Sequence, residues 1–179
     1  MPTSSVDTPD GPVEVAVDGP ESRHLVVIVP DIGEQPDDYA ALCARLHQSD
    51  LRTAILETQS KPTPDMVTAV LETFTGWANL VGHGTGAEAA WWVGATTFGR
   101  VRSLIAIDRG HPGADSGCPA IEVPTTVIAV GAANVAAARA SGPKVYSEFR
   151  LVELADTDAP IRRYPAELAS EIALRSSTW

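Results

Sequence analysis

The sequence predicts an α/β protein: an open, mostly parallel, doubly wound sheet of about six or seven strands with helices on both faces. Three observations carry this expectation. Short segments that read as strands recur at 25–29, 53–56, 79–81, 103–107 and 126–130, and stretches with helical spacing separate them. The run at 25–29, Leu-Val-Val-Ile-Val, is apolar at every position, as a strand covered on both faces must be. Strands joined in series by helices require right-handed crossovers, and an open parallel sheet is the economical product.

Residues 1–12 (MPTSSVDTPDGP) mix Pro, Ser, Thr, Asp and Gly without apolar periodicity, which predicts a flexible N-terminal arm ahead of a single domain over 13–179. Val-Glu-Val-Ala-Val at 13–17 alternates like an edge strand, and Asp18-Gly19-Pro20 ends it. Pro36, followed by Asp37 and Asp38, opens a helix with the stripe Tyr39, Leu42, Cys43 and Leu46. Thr63-Pro64-Asp65 caps a second helix carrying Met66, Val70, Leu71 and Phe74. A third helix follows the strand at 79–81 and contains Trp91 and Trp92, which point about 100° apart and so cannot both face the core. A short Ala-rich helix at 132–140, a strand near 150–154 and a helix from about Tyr164 to Leu174 finish the pattern.

Composition excludes several function classes. There are 13 Lys+Arg against 23 Asp+Glu, a formal charge of −10, and the only lysines are Lys61 and Lys144. With no basic cluster to neutralise phosphates, nucleic acid is not an expected partner. No run of about 18 apolar residues exists, and the polar, acidic N-terminus does not resemble a secretory leader. Neither a membrane span nor membrane attachment is expected, and the expected compartment is the cytoplasm. The two cysteines, Cys43 and Cys118, show no metal-ligand spacing, so no metal and no cofactor is expected. The excess of Arg over Lys in an Ala-, Val- and Gly-rich chain suggests a GC-rich bacterial genome.

In doubly wound sheets, ligands bind beyond the carboxyl ends of the strands. The sharpest strand exit is Leu80-Val81-Gly82-His83-Gly84-Thr85-Gly86, where a strand turns abruptly into a helix. This is the setting of a nucleophile elbow, G-x-S-x-G, in which the flanking glycines let helix and strand approach and the central residue carries the attacking hydroxyl. The central residue is Gly84.

At this point the chain resembles the α/β-hydrolase superfamily, from about Leu25 to Leu174. VVIVPDIGEQPDDYAALCARL is similar to the family's strand, oxyanion loop and first helix, and LVGHGTGAEAA to its elbow and the helix behind it. VPTTVIAVGAAN resembles the strand whose exit supplies the catalytic acid, and DAPIRRYPAELASEI the final loop and helix. The resemblance implies a hydrolase-like sheet. It puts Gly84 at the nucleophile position, Asn134 on or near the acid position and Asp158 at the base position. The oxyanion loop reads Pro30-Asp31-Ile32-Gly33 where the family commonly has His-Gly. In this fold the triad follows the chain order Ser, Asp/Glu, His. No histidine follows His111, so a histidine base at the usual site is absent. Only sixteen residues, 108–123, stand where the family usually inserts a lid, which implies a protein without a cap domain.

Glycine suits the elbow once the hydroxyl is dispensable, because the turn imposes a positive φ that strains any side chain. The amides at the start of the helix would then remain as an electropositive corner able to hold a carboxylate or carbonyl oxygen. The expected ligand-binding residues are Asp31, Ile32, His83, Gly84, Thr85, Asp108 and His111. His83 is expected to pack beneath the elbow rather than act as a base, and Thr85 to serve as a helix cap. Asp108 and His111 are either an acid–base pair or members of a solvent-facing loop. Asp31 and Asp158 share one cavity in this reading, where mutual repulsion would raise one of them toward neutrality.

Two functions follow from the resemblance. One is a pseudo-hydrolase that binds a small acid- or ester-like ligand or a protein partner without turnover. The other is a non-hydrolytic enzyme, a lyase, isomerase or cyclase, with Asp31, His111 or Asp158 as acid or base and the elbow amides as an oxyanion hole. The sequence specifies no oligomeric state.

Overall fold

The computed structural model describes residues 2–177. Its sheet has eight strands in the order β1-β2-β4-β3-β5-β6-β7-β8. They are β1 (Thr3–Val6), β2 (Val13–Asp18), β3 (Leu25–Val29), β4 (Arg52–Glu57), β5 (Ala78–His83), β6 (Val101–Ile107), β7 (Thr125–Val130) and β8 (Phe149–Leu154). From β4 across to β8 all neighbours are parallel, while β1 and β2 are antiparallel additions at one side. The sheet is therefore open and mixed, one strand wider than expected.

The additional strand replaces the flexible arm expected over residues 1–12 at residues 3–6; Met1 lies outside the described residues. Thr3–Val6 pairs with β2 in register Val6↔Val13, and Val6 is buried. Thr8 and Gly11 close the hairpin with reciprocal hydrogen bonds between them, and Thr63 Oγ1 donates to Asp10. Ser and Thr tolerate extended backbone, and β2 offered an unpaired edge; a reading based on apolar periodicity cannot see such a partner.

The helices are α1 (Ala40–Gln48), α2 (Pro64–Glu72), α3 (Thr85–Thr96), α4 (Ala132–Ala140), α5 (Pro160–Arg163) and α6 (Pro165–Ser176). A 3-10 turn, Pro36–Tyr39, precedes α1, held by a reciprocal Gln35–Asp38 capping box. Thr63 Oγ1 caps α2 by accepting from Met66 N at 3.2 Å.

Alternation along the strands divides the core into two layers. Val27, Val29, Leu56 and Leu80 pack under α2 and α3 with Val67, Val70, Trp91 and Val93. Val26, Ile28, Ile55 and Val81 pack under α1 and α6 with Leu42, Leu46, Leu168 and Ile172. Each fully buried aliphatic side chain of this kind contributes about 1.5–3 kcal/mol of transfer free energy, so both layers hold the sheet. Trp91 is fully buried, with Nε1 donating to Arg109 O at 3.2 Å, whereas Trp92 is partly buried. The buried guanidinium of Arg175 ties α6 to the sheet through Thr126 Oγ1 (2.7 Å) and Glu148 (3.0 Å). Among the described residues, no helix is long and apolar enough to cross a membrane.

This topology positions the site. From β3 the chain runs through α1 to β4 on one side, then returns through α2 to β5 on the other side of β3. The carboxyl ends of β3 and β5 therefore flank a switch point, where a doubly wound sheet leaves a crevice.

Candidate functional site

At the switch point β5 ends at His83 and α3 begins at Thr85, with Gly84 between them at φ 52° and ψ −119°. The flanking glycines are there for clearance. A Cβ on Gly82 would meet the α3 backbone at Ala87, and one on Gly86 would collide with the carbonyls of Val29 and Pro30. The helix thus lies against the end of β3, as an elbow requires.

Gly84 has a second constraint. A Cβ built on it would stand 2.6 Å from Asp31 Oδ1 and closer still to the rest of that carboxyl group. The space that a side chain at position 84 would need is filled by the Asp31 carboxyl group, from the loop after β3. Asp31 Oδ1 accepts from Thr85 N (2.8 Å), Thr85 Oγ1 (2.6 Å) and its own neighbour Ile32 N (2.9 Å). In an oxyanion hole, one amide follows the nucleophile and another comes from this same loop. Both amides at those places already hold an oxygen, the protein's own. The open electropositive corner expected from the sequence is therefore occupied. Thr85 is correspondingly not the cap of α3; Asp31 is, and the Thr85 hydroxyl reinforces it.

Behind this carboxylate lies a chain of charges. Glu34 Oε2 accepts from Asp31 N (2.9 Å), Tyr39 OH (2.6 Å) and His83 Nδ1 (3.0 Å). On the other side of the imidazole, His83 Nε2 lies 3.8 Å from Asp108 Oδ2. Asp108 Oδ1 in turn accepts from Val130 N (2.8 Å) and Asn134 Nδ2 (3.1 Å), and Asn134 Nδ2 also donates to Val130 O (2.9 Å). Asp108 holds a positive φ of 59°, a conformation that its side-chain bonds to the β7 exit stabilise. The exits of β3, β5, β6 and β7 are thus cross-linked by side chains.

Electrostatics follow from this geometry. Burial alone would keep His83 neutral, yet the carboxylates of Asp108 and Glu34 on its two sides push it up to about 9. Burial also opposes ionisation of Asp31, but hydrogen bonds from Thr85 and Ile32 and the His83 cation outweigh it and hold Asp31 below its ordinary range. Glu34 is likewise depressed: burial is overcome by His83, Tyr39 and the Asp31 amide. The expectation that Asp31 or Asp158 would titrate near neutrality is not met for Asp31, whose environment is rich in donors rather than in like charge.

Of the residues singled out from the sequence, Asp31, Ile32, His83, Gly84, Thr85, Asp108 and Asn134 come together. His111 and Asp158 do not join them. His111 Nδ1 accepts from Gly113 N (3.0 Å), Nε2 bonds Pro119 O (2.8 Å), and the ring stands edge-on to Trp91 at 5.2 Å. It organises its own loop, so the Asp108/His111 acid–base pairing does not form, and Asp108 faces the β7 exit rather than water. Asp158 is exposed and lines a hollow of about 260 Å³ with Gly33, Glu34, Asp38 and Arg162, outside the elbow. Between β6 and β7 the only helical element among the described residues is the 3-10 turn Ala114–Ser116. No group of three or more His, Cys, Asp or Glu among the described residues is arranged to hold a metal ion.

Sequence reasoning missed Glu34 and gave Tyr39 only a packing role. The available signal was an acid three residues beyond Asp31 in the exit loop, at a strand end that must face His83.

No protein-family model matches the sequence, and no curated protein matches it. Solved structures do match in shape. Epoxide hydrolase A from Mycobacterium thermoresistibile superposes with a TM-score of 0.80 at 10% identity, over 97% of each chain. Est1E from Butyrivibrio proteoclasticus gives 0.79 at 11%, again over 97% of each. Dienelactone hydrolase from Anabaena variabilis gives 0.78 at 16%, over 98% of this chain and 94% of that one. The chain has the α/β-hydrolase fold; identities this low speak to the fold alone.

Proposed function

We propose that this protein is a pseudo-hydrolase, an α/β-hydrolase scaffold that binds without turning over, and that the Ser-Asp-His triad of the fold is lost, with Gly84, Asn134 and Asp158 in its places. One observation carries the reading: Asp31 Oδ1 accepts from Thr85 N, Thr85 Oγ1 and Ile32 N, and so takes up the amides that a hydrolase of this fold would offer to an oxyanion. A carbonyl cannot be polarised by amides that already hold a carboxylate in their place. No hydroxyl stands at position 84 to attack one.

The alternative, an enzyme using Asp31, His111 or Asp158 for proton transfer, has less support. A useful general base has a pKa near the working pH. Asp31 is depressed below its ordinary 3.8 and bound by three donors, which makes it a weak base and a poor nucleophile. Both His111 nitrogens are engaged, and Asp158 stands apart.

The test is covalent labelling of purified protein with a fluorophosphonate probe, followed by intact-mass spectrometry, alongside turnover of p-nitrophenyl acetate. Neither an adduct nor a burst is expected. A stoichiometric adduct formed in the course of turnover would overturn the proposal.

A further inference from the structure

At the opposite end of the sheet, the amino ends of β4, β3 and β5 border a cavity of about 580 Å³ lined by Arg23, Leu25, Arg52, Phe74 and Trp77, among others. It lies at least a strand length, roughly 17 Å, from the elbow. The volume is within the usual range for small-molecule sites, about 300–1,000 Å³.

Its chemistry differs from that of the rest of the protein. In a chain of net charge −10, no carboxylate lines this cavity. Arg109, Arg139, Arg150, Arg162 and Arg175 each pair with an acid. The side chains of Arg23 and Arg52 form no hydrogen bond or ion pair among the described residues. Asp18 and Glu21 line an adjoining hollow with Arg52, yet neither forms an ion pair with it.

The apolar wall is fixed in place. The Arg102 guanidinium sits 5.0 Å from the Trp77 ring centroid, a cation–π contact that orients the indole. Arg100 donates to Leu71 O and, at 2.6 Å, to Phe74 O, tying down the chain after α2 that carries Phe74. Trp77 is left 41% exposed, so an apolar face stands beside two guanidinium groups that no carboxylate in the cavity neutralises.

We infer that this cavity is a binding site for a small aromatic carboxylate, its anionic group received by Arg52 and Arg23 and its ring by Trp77 and Phe74. Guanidinium forks match carboxylates in a bidentate manner, and aromatic walls favour a flat ring. The inference goes beyond the pseudo-hydrolase reading and does not depend on it, because the residues and the end of the sheet are different.

The experiment is isothermal titration calorimetry of the full chain with sodium 2-naphthoate, neutral 2-naphthamide and inorganic phosphate, on the unmodified protein and on R23Q, R52Q and W77A. Circular dichroism verifies that each variant is folded. Saturable one-to-one binding of naphthoate is expected, at least about tenfold weaker in R52Q and W77A, with naphthamide also at least about tenfold weaker, about 1.4 kcal/mol per tenfold. R23Q is expected to weaken binding less, because Arg23 is the more exposed of the pair. Phosphate, lacking a ring, is expected to bind more weakly than naphthoate. Absence of saturation at millimolar naphthoate, equal binding of the amide, equal or tighter binding of phosphate, or equal binding by R52Q each overturns the inference. Fluorophosphonate labelling of the elbow would leave these results unaltered, so the two proposals fail separately.

Discussion

The two ends of the sheet handle charge in opposite ways. At the carboxyl ends of β3, β5, β6 and β7, Asp31, Glu34, His83 and Asp108 satisfy one another and the backbone, and little is left over for a ligand. At the amino ends of β4, β3 and β5, two arginines stand without an ion-pair partner among the described residues, beside exposed aromatic surface. An α/β sheet ordinarily works at its carboxyl edge. Here the carboxyl edge is closed by internal hydrogen bonds, while the amino edge carries guanidinium groups facing an open cavity.

The comparison is broken most severely by restoring a side chain at the elbow. Gly84→Ser puts a Cβ into the Asp31 carboxyl group and imposes a strained positive φ; strain and overpacking each cost about 1–3 kcal/mol. Calorimetry should show a melting temperature lower by roughly 10 °C, at about 2–4 °C per kcal/mol for a chain of this size. Adding Asp31→Gly should return part of that loss, since neighbours in contact do not act additively. If Gly84→Ser melts like the parent, Asp31 does not occupy the elbow.

His83→Gln comes next. It leaves the partly buried carboxylates of Glu34 and Asp108 without their cation, an expected loss of about 1–3 kcal/mol in urea unfolding. It should also change the pH profile. His83 rises from 6.5 to about 9 on folding. Its protonated form therefore adds stability fully below pH 6.5, and that contribution disappears as pH rises to about 9. Asp31 and Glu34 run the other way: depressed below 3.8 and 4.5, they stabilise the fold above those values and lose the contribution as acid protonates them. An alkaline decline between pH 6.5 and 9 that persists unchanged in His83→Gln would remove His83 from this role.

Asp31→Asn is milder. It keeps the shape but loses a charged acceptor at a helix N-terminus, an expected cost of about 1–2 kcal/mol. Asp158→Asn is the control. The side chain is exposed and unpaired, so stability should stay within about 0.5 kcal/mol of the parent.

Much of this was legible in the sequence, because the parallel core is written in periodicity that only burial on two faces produces. The helix at 132–140 coincides with α4, and the strand at 25–29 with β3. Strand β1 was hidden because its pairing partner, not its composition, makes it a strand. At the site, Gly84 and Asp31 were each conspicuous. Their contact was not, since it depends on how far apart β3 and β5 place their exits, a distance set by the whole sheet. His83 and Glu34 lie 49 positions apart and meet for the same reason.

The overlap between Asp31 and any side chain at position 84 also couples the two positions. A side chain added at position 84 first would enter occupied space, and an aspartate removed at position 31 first would uncap a helix. Any exchange at this pair passes through a damaged intermediate, so the two residues constrain one another and are expected to change together or not at all.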